Sequence, residues 1–294
     1  MFVNTGEELI KVCKDTGKTI WQYTVDIESK ETGLSKEEIF KKMYKVLDTM
    51  KHAVDKGMKE GVESVSGIIG NDSPKLYKYS KSNKTICGEF LVEAMAKALG
   101  TSEVNAAMGR IVASPTAGSC GVLPAVLLSV GEKFNFTDEE LVQGLFTAAG
   151  VGILIAKNAT MSGAEGGCQA EVGSASAMAS AAVVELMGGD VETALSASAT
   201  VIKNFLGLVC DPVAGLVEVP CAKRNVAGTV MALSMADMAL SGIVSKIPFD
   251  DTVQAMYEVG KMLPCSLRET AMGGVATTKA GCRIKKEVFG DNEL

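Results

Sequence analysis

Residues 207–225 read GLVCDPVAGLVEVPCAKRN, and this stretch interrupts a chain that otherwise shows helical patterns. It contains Cys210 and Cys221, with Pro212, Pro220 and a glycine between them. Proline lacks a backbone N–H donor and breaks helices, so the segment cannot form one helix. Fully extended, the chain between the two cysteines would span roughly 36 Å. Prolines and glycine favour turns. The sequence therefore predicts a loop that doubles back and brings two thiols together.

A third cysteine, Cys168, lies upstream in SGAEGGCQAEVGSASA, a stretch of small residues. A helix is expected over 169–187, which places Cys168 at the helix N-terminus. Free backbone N–H groups there stabilise a thiolate or an anionic cluster. Glu165 and Glu171 stand three residues before and after the cysteine, so on a helix they would share its face. We interpret the three thiols as one site.

The rest of the chain predicts helices. Ser35 with Glu38 and Thr137 with Glu140 form capping-box patterns at the start of apolar residues with helical spacing. Strand patterns are nearly absent, and no linker or repeat divides the chain. We therefore predict a mainly α, multi-helix single domain over residues 1–294, with glycine and proline loops forming the thiol site. Two closely packed helical subdomains are the alternative.

The segment 5–34 has no clean apolar period. Further along the chain, the predicted helices cover residues 35–57, about 85–99, 105–111, 122–130, 137–157, 169–187, 190–205, 229–245 and 250–263.

Composition excludes several classes of protein. Hydrophobic residues make up 47% and charged residues 22%, which is ordinary for a globular domain and argues against disorder. The net charge of −6, without basic stretches that alternate with aromatics, disfavours a nucleic-acid partner. No apolar run reaches the roughly 18 residues of a membrane helix, and the N-terminus lacks a signal-peptide pattern.

The eight cysteines include no C-x-x-C pair, which disfavours zinc ribbons and thioredoxin-like sites. Reduced thiols and a cytoplasmic location are expected.

The chain offers few conventional catalytic groups. His52, the only histidine, falls on a predicted helix face with Lys45 and Asp48, so we expect a solvated surface residue. No lysine stands in a context that distinguishes it as a pyridoxal phosphate ligand.

Three motifs together resemble the iron–sulfur-dependent L-serine dehydratases, specifically their α chain: SGAEGGCQAEVGSASA, CDPVAGLVEVPCAKRN and ASPTAGSCG. The resemblance covers about residues 20–282. It implies a [4Fe–4S] cluster on Cys168, Cys210 and Cys221. Three thiolates would leave one iron open to act as a Lewis acid on the substrate hydroxyl. The resemblance also implies conversion of L-serine to pyruvate and ammonia without pyridoxal phosphate.

The loop ASPTAGSCG resembles the substrate loop of that family. The resemblance assigns Ser114, Thr116, Gly118 and Ser119 to the serine carboxylate, through hydroxyls and backbone N–H groups. The alternative is a plain helix-capping loop. Family members usually carry Asn where Ala117 stands here. Asn225 is a further candidate for a polar substrate contact.

The resemblance leaves the catalytic base outside this chain, because the family's catalytic histidines belong to a separate β region. A β subunit that carries the base is therefore the expected partner. In some relatives a cysteine near the chain end blocks the open iron. Here twelve residues follow Cys282, so that role is not expected, and contact of Cys120 with the cluster stays open.

Other functions remain possible at this level. A cysteine desulfidase-type iron–sulfur lyase is the nearest alternative, and a non-catalytic iron–sulfur redox sensor or a structural zinc protein belongs to a different class. The sequence does not decide between serine, threonine and cysteine as substrates.

Overall fold

The structure is a computed structural model that describes residues 2–290. Within that range the chain forms α-helices joined by loops and short helical turns, and no β-strand. Isolated bridges join Glu63 to Gly70 and Cys210 to Arg268. The prediction of a mainly α fold is confirmed.

The α-helices are α1 (Gly6–Thr16), α2 (Ile20–Thr32), α3 (Lys36–Asp55), α4 (Asp72–Ser80), α5 (Gly88–Ala106), α6 (Val122–Phe134), α7 (Asp138–Asn158), α8 (Gly163–Gly166), α9 (Cys168–Leu186), α10 (Val191–Phe205), α11 (Cys221–Leu240), α12 (Phe249–Met262) and α13 (Lys279–Phe289). A π-helical turn, Lys56–Glu60, follows α3, and 3₁₀ turns cover Val213–Gly215, Cys265–Leu267 and Gly274–Thr277.

Helix α9 lies at the centre of the molecule. Every residue from 168 to 184 is buried, and the helix packs against α6, α7, α10 and α11. Its alanines and serines let those neighbours approach closely. The hydroxyl of Ser176 donates to the carbonyl of Val172, so this buried polar group is satisfied within the helix. Neighbouring helices therefore enclose α9 over most of its length.

One continuous cluster of buried apolar side chains draws on α1–α3, α5–α7 and α9–α12. Helix α7 is long and apolar enough to cross a membrane by length and composition, but 67% of its apolar window is buried inside the protein. It packs against α9 and α2.

Both predicted capping boxes are present, at Ser35 with Glu38 and at Thr137 with Glu140. A third was missed: the hydroxyl of Thr19 accepts from the N–H of Gln22, whose side chain accepts from the Thr19 N–H. This box begins α2, in the segment where no clean apolar period was found. Helix α2 is held by its cap and by contacts with the rest of the molecule, which local apolar spacing does not reveal. In α1, Leu9 and Cys13 do recur at helical spacing on the buried face, and the prediction missed this signal.

The predicted helix end at Gly100 is wrong, as is the separate helix over 105–111. Helix α5 continues through Gly100 to Ala106. A Cβ at Gly100 would lie 2.8 Å from Oγ of Ser73 and 3.2 Å from Cα of Gly57. This glycine therefore permits a close approach between helices and does not end one.

The predicted bounds 229–245 for the next core helix are also wrong. Helix α11 begins at Cys221, directly after Pro220, and ends at Leu240. Gly228 lies inside it, where a Cβ would be 2.6 Å from Oγ of Ser176 on α9. The earlier start matters because it places Cys221 and Asn225 on the first two turns of a helix.

Candidate active site

The three cysteines converge from separate elements. Cys168 is the first residue of α9, Cys221 is the first residue of α11, and Cys210 lies in the loop between α10 and α11. All three side chains are buried. Cys168 and Cys221 therefore each stand at a helix N-terminus, where free N–H groups favour negative charge.

The loop after Cys210 doubles back as predicted. The N–H of Val213 donates to the carbonyl of Val219 over 2.8 Å, and Ala214 adopts a left-handed φ of 59° at the turn. The N–H of Cys210 donates to the carbonyl of Leu267. The hydrogen bond between Val213 and Val219 thus closes the loop, and the hydrogen bond to Leu267 holds its first residue against a later segment of the chain.

A compact donor set lies at the centre of the site. Sγ of Cys168, Sγ of Cys210 and a carboxylate oxygen of Glu171 all lie within 4.8 Å of one another. Cys221 is outside this tight group. Burial, followed by the negative charges of Cys168 and Glu171, raises the pKa of its thiol, so it belongs to the same electrostatic environment.

These residues fit a metal centre. Thiolates select soft or borderline metals such as zinc, copper(I) and iron–sulfur clusters. All cysteines in the described part of the chain are free, so no disulfide competes for the sulfurs. The donor set is consistent with an iron–sulfur cluster.

Cys168 is the most acidic thiol of the set. A hydrogen bond from Cys210 lowers its pKa most, the charge of Arg224 lowers it further, and burial opposes both. The pKa of Cys210 is raised, because it donates to Cys168 and is buried. Cys210 and Arg224 thus both favour the thiolate form of Cys168.

Glu171 links the thiols to the loop that was predicted to bind substrate. Burial raises the pKa of this carboxyl, although the hydroxyl of Thr116 donates to it. A Cβ at Gly118 would collide with the Glu171 carboxylate, so the loop backbone lies directly against it. Glu171 was noted in the sequence only for sharing a face with Cys168, and the structure gives it a central place.

The predicted substrate residues form one loop. The hydroxyls of Thr116 and Ser119 lie 3.0 Å apart. The buried hydroxyl of Ser114 has no hydrogen-bond partner within residues 2–290. An unpartnered buried hydroxyl is costly unless a ligand or water completes it.

Asn225 joins this loop to α11. Its Oδ1 accepts from the N–H of Gly121 over 2.9 Å, and its Nδ2 donates to the carbonyls of Gly118 and Cys221 over 2.6 and 3.0 Å. Both amide hydrogens are therefore used by the main chain. A direct contact between Asn225 and substrate stays a prediction.

Other candidate residues lie away from the thiols or are otherwise engaged. The side chain of His52 is 77% exposed beside Asp48, as expected for a surface histidine. Cys120 is buried, with a pKa raised to about 12 by that burial, and its thiol lies 3.9 Å from the carbonyl oxygen of Thr101. Cys282 is exposed on α13.

Two further residues of the site were missed in the sequence. Nη1 of Arg224 lies 3.4 Å from Sγ of Cys168. The N–H of Glu269 donates to the carbonyl of Cys210 over 2.7 Å, and its charge raises the pKa of Glu171. Arg224 lies on the first turn of α11, before the start of the predicted helix 229–245, and no local pattern links Glu269 to a cysteine far upstream.

Comparison with known proteins gives the family. The family model described as "Serine dehydratase alpha chain" matches residues 15–276. A "Probable L-serine dehydratase, alpha chain" of Bacillus subtilis is 50% identical over 99% of this chain and 96% of that relative. The "L-serine dehydratase, alpha chain" of Peptoniphilus asaccharolyticus is 46% identical over 99% of this chain and its own full length. The "L-serine dehydratase 1" of Escherichia coli is 37% identical over 92% of this chain but only 61% of that longer relative. With motifs, helical fold and family match in agreement, the chain belongs to the serine dehydratase alpha-chain family.

Proposed function

We propose that this chain is the catalytic α chain of an L-serine dehydratase, a lyase that converts L-serine to pyruvate and ammonia. The observation that carries the proposal is the full-length similarity to relatives named as such α chains, over a fold that gathers Cys168, Cys210 and Glu171 into one buried group.

The cofactor that we propose is a [4Fe–4S] cluster held by Cys168, Cys210 and Cys221. The assignment is supported by the compact group that contains Cys168 and Cys210, and by the buried Cys221 at the N-terminus of α11. When bound, such a cluster would supply a Lewis acid for the substrate hydroxyl. Side chains of this chain would bind and orient L-serine, and a proton acceptor would remove its Cα proton.

Substrate binding is proposed for the loop of Ser114, Thr116, Gly118 and Ser119. The unpartnered Ser114 hydroxyl could donate to the carboxylate of L-serine and would then be satisfied. Thr116 is held against Glu171, which fixes the loop relative to the thiols. Burial of the site excludes water and strengthens such polar contacts.

We propose that the base comes from a partner β subunit. Abstraction of the Cα proton calls for a group with a suitable pKa, most often histidine, and His52 is exposed on α3. The relative from Escherichia coli is longer and contains a region that this chain does not match. Such a base could lie in that region of the relative. The active enzyme would then be an αβ assembly.

The test is an assay of the α chain alone. After anaerobic reconstitution with iron and sulfide, the purified chain is expected to carry metal but to form almost no pyruvate from L-serine. Co-expression with a β chain of the family is expected to restore turnover. Full activity of the α chain alone would refute the need for a base in trans. Pyruvate formation faster from L-cysteine than from L-serine would favour the desulfidase alternative.

A further inference from the structure

Arg224 places a guanidinium directly against the thiol group. It lies one helical turn after Cys221 on α11, with its side chain 16% exposed. Nη1 lies 3.4 Å from Sγ of Cys168 and donates to the carbonyl of Val209 over 2.8 Å. Nη2 lies 2.9 Å from Oδ1 of Asp211. The guanidinium is therefore fixed on several sides with one N–H directed at a sulfur.

Asp211 is itself held in place. Its side chain is 3% exposed, and Oδ2 accepts from the N–H of Val275 over 2.7 Å. Gly274 adopts a φ of 62°, and a Cβ there would collide with the Asp211 carboxylate. A segment more than sixty residues downstream thus supports the carboxylate that orients Arg224.

A guanidinium suits this geometry better than an ammonium. Its planar donors can meet a carboxylate, a carbonyl and a sulfur at the same time, and it stays charged at all relevant pH values. The positive charge of Arg224 would be enough to neutralise the Cys168 thiolate. The contacts with Val209 and Asp211 in addition fix the direction in which the Arg224 N–H points toward the sulfur, and this indicates that the direction matters.

We propose that Arg224 is a positioning residue that raises the reduction potential of the metal centre through its charged N–H···S contact with Cys168. The inference rests on the proposed function, in which Cys168 is a cluster ligand. Hydrogen bonds and positive charge at ligand sulfurs stabilise the more negative, reduced state of a cluster. A higher potential makes loss of an electron harder.

The consequence is protection of the centre against dioxygen. If the proposed cluster binds, its one-electron oxidation by O₂, with O₂ reduced to superoxide, would precede the release of one Fe²⁺ from the oxidised cluster. Because Arg224 disfavours the first step, it would slow the loss of iron in air.

The experiment compares R224Q and R224K with wild type, and uses K223Q as the charge-matched control. Lys223 is the exposed neighbour of Arg224 on the same helix, so K223Q removes one positive charge without removing the contact to Cys168. For each anaerobically reconstituted protein, iron and sulfide are quantified, the midpoint potential is determined by titration followed by electron paramagnetic resonance, and iron release in air is timed.

R224Q is expected to show a more negative midpoint potential than wild type and several-fold faster loss of iron, with a smaller shift in R224K and none in K223Q. If R224Q does not load metal, R224K decides: a negative shift supports the proposal and an unchanged potential overturns it. R224Q with the potential and iron-loss rate of wild type would also overturn it. Absence of iron and sulfide from wild type would instead refute the proposed function.

Discussion

Gly118 packs so closely against Glu171 that the site has no space for a side chain at this position. Its Cα lies against the Glu171 carboxylate, which also accepts from Thr116. The family resemblance assigned Gly118 to the substrate loop, but the sequence did not indicate its contact with Glu171. The contact explains why a residue without a side chain is needed between the thiols and the proposed substrate residues.

We expect Gly118→Ala to displace the loop or Glu171. Overpacking of a buried contact costs about 1–3 kcal/mol of unfolding free energy, and the displaced loop should raise KM for L-serine in the αβ enzyme. Chemical denaturation and steady-state kinetics measure the two effects. Gly17→Ala is the control: nothing lies within 4 Å of its Cβ position, so its φ of 64° should cost stability without changing KM. A G118A enzyme with wild-type KM and stability would contradict the described contact.

Asn225 acts between elements, because its amide ties the loop before α6 to the start of α11. Asn225→Ala would remove the Asn225 amide from the N–H of Gly121 and the carbonyl of Gly118. A buried unsatisfied group costs about 1–3 kcal/mol, so a loss of at least that size is expected in the free energy of unfolding.

The same variant separates a structural role from direct substrate contact. In the structural role, N225A loses stability in the absence of substrate, and a control at the exposed Asn204 (N204A) does not. Wild-type stability combined with a large rise in KM would show that Asn225 acts mainly on the substrate.

Glu185 also acts between elements, because it lies on α9 and binds the first turn of α2. Its carboxylate accepts from the N–H groups of Ile20 and Trp21 over 2.6 and 3.2 Å. Burial raises the pKa of this carboxyl, although these N–H groups and the hydroxyl of Thr147 oppose the shift. The folded protein thus holds this proton more tightly than the unfolded chain does.

The raised pKa of Glu185 determines how the free energy of unfolding changes with pH. The stabilising contribution from the bound proton is present at low pH and is lost as the pH rises from the unfolded pKa through the raised folded pKa. Glu185→Gln removes this titration. We therefore expect wild type to lose stability relative to E185Q as the pH rises from about 4. Denaturation curves at several pH values test this, and a constant difference between the two proteins would contradict it.

Across the whole molecule, the sequence predicted the helical class and most long helices, because caps and apolar spacing are local signals. It also predicted that the loop after Cys210 reverses, since prolines and glycine determine turns locally. The assignment of the cysteines to one cluster came from the family resemblance, and composition alone would have left them as ordinary buried residues.

Most features that the sequence analysis predicted wrongly or missed share one cause. Each of these depends on contacts between segments that are distant in the sequence. Gly100 looked like a helix end but allows two helices to touch. Helix α2 has only a weak apolar period and depends on docking, in part through Glu185. Arg224 and Glu269 reach the thiols only after distant segments pack together. No pattern within one window of sequence contains that information.

The central claim is that this helical fold assembles a metal centre on Cys168, Cys210 and Cys221 for L-serine deamination. Its most direct test is anaerobic absorption spectroscopy with iron and acid-labile sulfide analysis of the reconstituted wild type, Cys210→Ser and Cys282→Ser. Cys282 is exposed on α13 and serves as the matched control. We predict iron–sulfur absorption and bound sulfide in wild type and C282S, and loss of most of both in C210S. A C210S protein with a full complement of iron and sulfide would contradict the claim.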